Sequence, residues 1–203
     1  MKKNNIIRMA QIAMLIALVV VLQTLGTFIK VGPFPFSLVL IPIVVGGFLF
    51  GAKTGALLGG AFGVMALVYS ITGGDPGGNM MWVANPWLTA IVCLVKGVAA
   101  GWAAGFICSA FQKKTKHYIG ILLASMAAPI VNTGIFLLFL TTCYNSTLVS
   151  WAAGGGYGSS AWDLTRYILG GIVLINFGFE FVTTTVLSPA TKRIIDALKK
   201  TQR

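Results

Sequence analysis

Ile41-Pro42-Ile43-Val44-Val45-Gly46-Gly47-Phe48-Leu49-Phe50-Gly51-Ala52-Lys53-Thr54-Gly55-Ala56-Leu57-Leu58-Gly59 is the stretch that decides the fold. Two apolar runs meet at the tight turn Gly51–Gly55, whose one charge is Lys53. A single cation between two apolar runs marks a cytoplasmic hairpin between membrane spans. The run before the turn, about Ser37 to Phe50, is short for a helix that must cross ~30 Å of hydrocarbon, and Pro42 predicts a kink or a helix buried by protein. The run after it, about Ala56 to Ile71, follows the pattern Gly55-x-x-x-Gly59-x-x-x-Gly63. That spacing lines one helix face with small residues and permits close helix approach.

Working outward, four more apolar runs appear: about Ile7–Leu25, Trp87–Phe111, Tyr118–Tyr144 and Leu164–Leu187. The second of these repeats the small-residue pattern as Gly97-x-x-x-Gly101-x-x-x-Gly105. Of 15 Lys and Arg, twelve fall in four places: Lys2, Lys3 and Arg8; Lys53; Lys113, Lys114 and Lys116; and Lys192, Arg193, Lys199, Lys200 and Arg203. With six spans all four places lie on one side, and basic loops stay in the cytoplasm. The expectation is an all-α membrane protein: a compact bundle of six transmembrane helices, both termini cytoplasmic, with residues 1–203 as a single domain. No cleavable signal peptide is expected, because the first apolar run is long and no small-residue cleavage site follows it.

Composition agrees. The 203 residues are 57% hydrophobic and 9% charged, with mean hydropathy +0.88, whereas soluble domains carry about 25% charge. The net charge of +11 belongs to span flanks and lipid headgroups, not to a nucleic-acid surface, since aromatics do not interleave with the cations. Cys93, Cys108 and Cys143 lie in spans or at their ends and read as small packing residues.

Several chemistries have nothing to stand on. Gly51-Ala52-Lys53-Thr54-Gly55 imitates a phosphate loop but lacks the Gly-x-x-x-x-Gly-Lys spacing. His117 is the single histidine and sits at the cytoplasmic border. Ser159-Ser160 lacks a base. Asp75, Asp163, Glu180 and Asp196 are the only acids, too few and too scattered for a carboxylate metal site. No cofactor, metal or catalytic residue is expected, and the chain does not read as an enzyme.

Three basic residues break the topological pattern: Lys30, Lys96 and Arg166. Lys96, Asn132 and Asn176 each fall near the middle of a span, and Glu180 follows Asn176 by one turn. A charge at that depth costs at least about 2.5–3.5 kcal/mol and needs a partner or a cavity. Two readings stay open: a buried Lys96–Glu180 pair with asparagines bridging helices, or the floor of a pocket for a polar solute. Above that floor sit Lys30, Asn79, Trp82, Asn85, Tyr144, Asn145, Trp151, Trp162 and Arg166, in the outer loops Gly26–Phe36, Thr72–Pro86 and Asn145–Asp163 or at the span ends beside them. Amides and rings there suit a small amphipathic ligand, or an interfacial aromatic belt. Cations without a full set of carboxylates favour an anionic or neutral ligand. On the first span, Ala10, Ala13 and Ala17 form a small-residue stripe.

In order and spacing these features resemble the substrate-binding S-components of energy-coupling factor (ECF) vitamin transporters over most of the chain. Ala13-x-x-x-Ala17 is similar to that family's docking helix. Val31-Gly32-Pro33, Ile41-Pro42-Ile43-Val44-Val45-Gly46 and the Phe50–Gly59 run resemble its second and third helices. Asn85-Pro86 with Lys96-Gly97-x-x-x-Gly101 resembles the fourth, and Asn132-Thr133 and Asn176-x-x-x-Glu180 the fifth and sixth. The resemblance implies a subunit that binds a water-soluble vitamin from outside, partnered in the prokaryotic cell membrane by a transmembrane coupling subunit and two cytosolic ATPases. Ala13 and Ala17 would be the docking face. Ligand contacts would come from Lys30, Asn79, Asn85, Lys96, Asn132, Asn145, Trp151, Arg166 and Asn176. The glycine-rich second and third helices and the Asn-Pro start of the fourth look most like the pantothenate branch. Riboflavin and folate are the alternatives within the class, and a lipid-modifying membrane enzyme or a channel outside it.

Overall fold

The computed structural model describes residues 2–31, 34–35, 38–112 and 117–201. Ten α-helices and one π-helical stretch follow in order among them: α1 Lys2–Phe28, α2 Leu40–Phe50, α3 Ala52–Thr72, α4 Pro76–Ala84, α5 Pro86–Gln112, α6 His117–Cys143, α7 Asn145–Gly154, α8 Ala161–Tyr167, the π-helix Ile168–Phe177, α9 Gly178–Val186 and α10 Ser188–Thr201. Five continuous helical segments are long and apolar enough to cross a membrane: Asn5–Phe28, Ala52–Thr72, Pro86–Phe111, Tyr118–Cys143 and Ala161–Val186. The apolar helix α2 is shorter.

Two segments expected as open outer loops contain helices. Asp75 caps α4, its carboxylate accepting from the Gly78 N–H at 3.0 Å, with Pro76 in the first turn. Proline there gives up only an N–H that has no helical partner. The α7 helix occupies the first half of the third outer segment. Ser160 starts α8, accepting from the Asp163 N–H at 3.2 Å while its hydroxyl donates to the Asp163 carboxylate at 2.6 Å. The sixth span is not one α-helix: α8 passes into the π-helix and then α9. The inner turn also shrinks to one residue. Gly51, at φ 88°, reverses the chain between α2 and α3, a backbone that glycine adopts without a Cβ penalty.

The central seam is α3 against α5, and glycine makes it. A Cβ added to Gly55 would strike the Gly101 carbonyl, one on Gly59 the Gly97 carbonyl, and one on Gly63 the Cys93 carbonyl. These pairs put α3 and α5 antiparallel with backbones in contact, the close approach that small residues at four-residue spacing allow. The same register places α2. Gly47 lies against Gly105, and Ile43 reaches the Gly101 position. One turn further back, the start of α2 stands level with Gly97. At 11 residues α2 is about 16 Å long, so it fills only the inner half of the bundle. It is buried along almost its whole length, from Leu40 through Phe48.

Cations gather at one end. The Arg8 guanidinium lies 5.5 Å from the Phe50 ring centroid and the Lys192 ammonium 5.9 Å from that of Tyr118. Lys53 is exposed beside Gly51. Amphipathic α10 packs on α2 and α6 through buried Thr191 and Ile195. Lys113, Lys114 and Lys116 lie outside the described residues, as does Pro33.

Candidate functional site

Two apolar clusters divide the interior. The inner one joins α1, α2, α3 and the inner parts of α5, α6 and α10, with Leu15, Ile43, Phe48, Leu58 and Ile121 among its members. The outer one joins α4, α6, α7 and the start of the sixth span, through Met81, Phe136, Leu140, Tyr144, Trp151 and Tyr167. A polar layer lies at the seam between them.

Lys96 on α5 is its cation. Its ammonium stands 5.3 Å from the Phe136 ring centroid and 5.9 Å from that of Phe62, so α6 and α3 each lend it an aromatic face. Rings at this range attract a cation electrostatically. Asn132 lies one turn before Phe136 on α6 and is buried, as is its neighbour Thr133. Glu180 of α9, which packs on α6, feels both the Asn132 side chain and the charge of Lys96. Glu180 is only 6% exposed. Among the described residues the Asn132 Oδ1 is buried without a hydrogen-bond partner. An orphan acceptor of this kind costs roughly 1–3 kcal/mol, and it suits a donor brought by a ligand. Since α2 starts at the level of Gly97, no helix among the described residues just before it occupies the space on its outer side.

The outer wall continues upward from Lys96. Cys93 sits one turn above it and meets the Ser70 side chain. The Ser70 hydroxyl donates to the Ala66 carbonyl at 2.9 Å, and Asn79 Nδ2 donates to the Ser70 carbonyl at 2.8 Å. Asn79 thus ties α4 to the top of α3. The Asn85 Oδ1 accepts from the Leu88 N–H at 3.1 Å and caps α5. Its carbonyl accepts from Tyr144 and Thr89, whose hydroxyls meet at 2.7 Å. Trp151 is buried, its indole N–H donating to Met80 Sδ at 2.9 Å. Asn145 and Arg166 are exposed at the same outer end. The backbone of Lys30 pairs with Pro35 in a two-residue antiparallel ladder, and Asn176 lies in the π-helix; the side chains of both are outside the described residues.

Of the residues singled out from sequence, Lys96 and Asn132 come together at one stretch of α6, with Glu180 on α9 packed against that helix. Asn79, Asn85 and Trp151 are held in the outer framework. Phe62, Phe136 and Ser70 carry no sequence signal of their own, because the chain has 13 Phe. The four-residue step from Asn132 to Phe136 was the one available hint. On α1, Ala13 and Ala17 are exposed, while Gln11, Leu15, Val19 and Gln23 face the bundle.

The family model for the ECF transporter substrate-specific component matches residues 7–189. The chain belongs to this family. A relative of this substrate-specific component is the pantothenic acid transporter PanT of Lactococcus lactis subsp. cremoris (strain MG1363). The two are 27% identical over 212 residues, covering 98% of this chain and 97% of PanT. No solved structure matches. Membership makes the substrate-specific component a multi-pass membrane component of a transporter, and implies a vitamin substrate and an energy-coupling partner module.

Proposed function

We propose that this substrate-specific component binds pantothenate at the outer face of a prokaryotic cell membrane, as the high-affinity subunit of an ATP-driven importer. A transmembrane coupling subunit and two cytosolic ATPases complete that importer. The observation that carries the reading is the polar layer: one lysine and one buried amide with a free acceptor, enclosed by apolar clusters, above a helix of half length. Pantothenate has one carboxylate for Lys96. It also has hydroxyl and amide N–H donors for the Asn132 Oδ1. The relationship to PanT points the same way.

In this reading residues 1–203 form one domain of six spans. The second span includes α2, and both termini are cytoplasmic. The support is the clustering of Arg8, Lys53 and Lys192 at one end of the bundle. Lys30, Asn79, Asn85, Asn145, Trp151, Arg166 and Asn176 belong to the walls and mouth above Lys96. Ala13 and Ala17 face outward from α1 and dock the coupling subunit.

Reconstitution tests this. Proteoliposomes holding the component with a coupling subunit and ATPases should take up labelled pantothenate only with ATP inside. Uptake without the partners, or uptake of riboflavin or folate in its place, would refute the assignment.

A further inference from the structure

From Pro86 to Lys96 the α5 helix rises about 15 Å, so the ammonium is carried deep, on a four-carbon stem that is only half-buried. Such a stem snorkels toward water where nothing detains its head. Here two rings detain it, and they come from opposite sides of the polar layer. Phe136 of α6, at 5.3 Å, belongs to the outer apolar cluster, and Phe62 of α3, at 5.9 Å, to the inner one. Both phenylalanines are buried. Phe62 stands between Gly59 and Gly63, whose missing side chains let α3 rest on the Gly97 and Cys93 carbonyls, on either side of Lys96. The distance from that ring to the lysine is therefore set by backbone contact. The rings are fixed and the stem is flexible.

Resting on the reading of Lys96 as the cation for the ligand's carboxylate, we propose that Phe62 and Phe136 are positioning residues that hold the ammonium at the layer by their ring faces. A ring attracts the cation through its quadrupole. It brings no carboxylate oxygen, so the three N–H donors of Lys96 stay available to an anion. The stem is ordered before the ligand arrives, and preorganisation of this kind raises affinity without a new contact. The gain goes only to ligands that carry an anionic group. A neutral analogue of the same shape draws nothing from it.

The test titrates pantothenate and its neutral alcohol analogue pantothenol into the purified wild type, Phe136→Leu, Phe136→Tyr, Phe62→Leu and Lys96→Met. The readout is the ratio of the two affinities, because a general loosening of the pocket weakens both compounds alike. Phe136→Leu keeps an apolar side chain and removes the ring, so its preference for pantothenate should fall roughly three- to thirtyfold. Phe62→Leu should lower it less, its ring being the more distant. Phe136→Tyr restores a ring and should keep the wild-type ratio within about twofold. A ratio unchanged in both leucine variants, while Lys96→Met lowers it, would overturn the proposal alone. So would an equal fall in Phe136→Leu and Phe136→Tyr. If Lys96→Met leaves the ratio unchanged, the reading of Lys96 fails and this role of the rings with it. If neither compound binds the wild type, the pantothenate assignment fails, and thermal unfolding of wild type, Phe136→Leu, Lys96→Met and the double variant decides. Shifts that depart from additivity by about 2–4 °C support the ring contact, and additive shifts overturn it. Should Phe136→Leu not fold, Phe62→Leu takes its place in both measurements.

Discussion

Replacing Gly59 by alanine should open the α3–α5 seam. A Cβ at Gly59 falls on the Gly97 carbonyl, 2.8 Å from its carbon and 3.3 Å from the Gly101 nitrogen. Ordinary carbon–carbon contact is ~3.5 Å or more, and the carbonyl oxygen is nearer still, so the helices must part by at least about 0.7 Å. Both neighbours are backbone, and no flexible side chain can swing away. Overpacking of this kind costs about 1–3 kcal/mol. The better helix propensity of alanine returns about 0.5–1 kcal/mol. The net loss is roughly 1–2 kcal/mol, or about 2–4 °C of Tm per kcal/mol for a chain of this length. Two controls carry the same chemical change without the clash. Gly60→Ala meets only Val98 at 3.5 Å, and Gly134→Ala meets nothing within 4 Å. Thermal unfolding followed by tryptophan fluorescence in one detergent should rank Gly59→Ala below wild type, with Gly60→Ala and Gly134→Ala at or above it. Because Gly97 follows Lys96, pantothenate affinity should fall with Gly59→Ala as well. A Gly59→Ala protein that melts no lower than Gly60→Ala would refute the seam.

Three further substitutions separate site, docking face and framework. Lys96→Met should weaken pantothenate binding by about 2–5 kcal/mol, thirtyfold or more, with a smaller loss for pantothenol; calorimetric titration checks it, and equal losses would remove Lys96 as the carboxylate's partner. Ala13→Leu with Ala17→Leu should abolish uptake in proteoliposomes while leaving affinity within about twofold, because both positions are exposed; a parallel loss of binding would end the docking role. Tyr144→Phe strips a hydroxyl that bonds Thr89 at 2.7 Å and the Asn85 carbonyl at 3.0 Å. It should cost about 1–2 kcal/mol of stability, read as a lower Tm with uptake retained.

The apolar runs, the glycine pattern and the isolated charge of Lys96 were all visible in the chain, because a membrane span tolerates few residue types and every exception stands out. The half length of α2 was visible too, in a short run interrupted by Pro42. Other features were written but easy to pass over. Asp75-Pro76 and Ser160-x-x-Asp163 are helix starts, yet they lie in segments whose glycines suggest open loops. The π-helical stretch left no mark, since Ile168–Phe177 is apolar throughout apart from Asn176, and periodicity cannot tell one helix type from another. Phe62 and Phe136 were indistinguishable from lipid-facing phenylalanines until the register of α3, α5 and α6 brought both rings to one ammonium. For Asn79 and Asn85 the amide was legible and its employment was not. Each side chain is taken up by a backbone group of its own corner.

The most direct measurement is native mass spectrometry of the purified protein, with any bound small molecule released, identified and titrated back into wild type and Lys96→Met. The account predicts pantothenate, bound one to one by the wild type at sub-micromolar concentration and lost in the variant. A different vitamin, or pantothenate held equally well without Lys96, would contradict it.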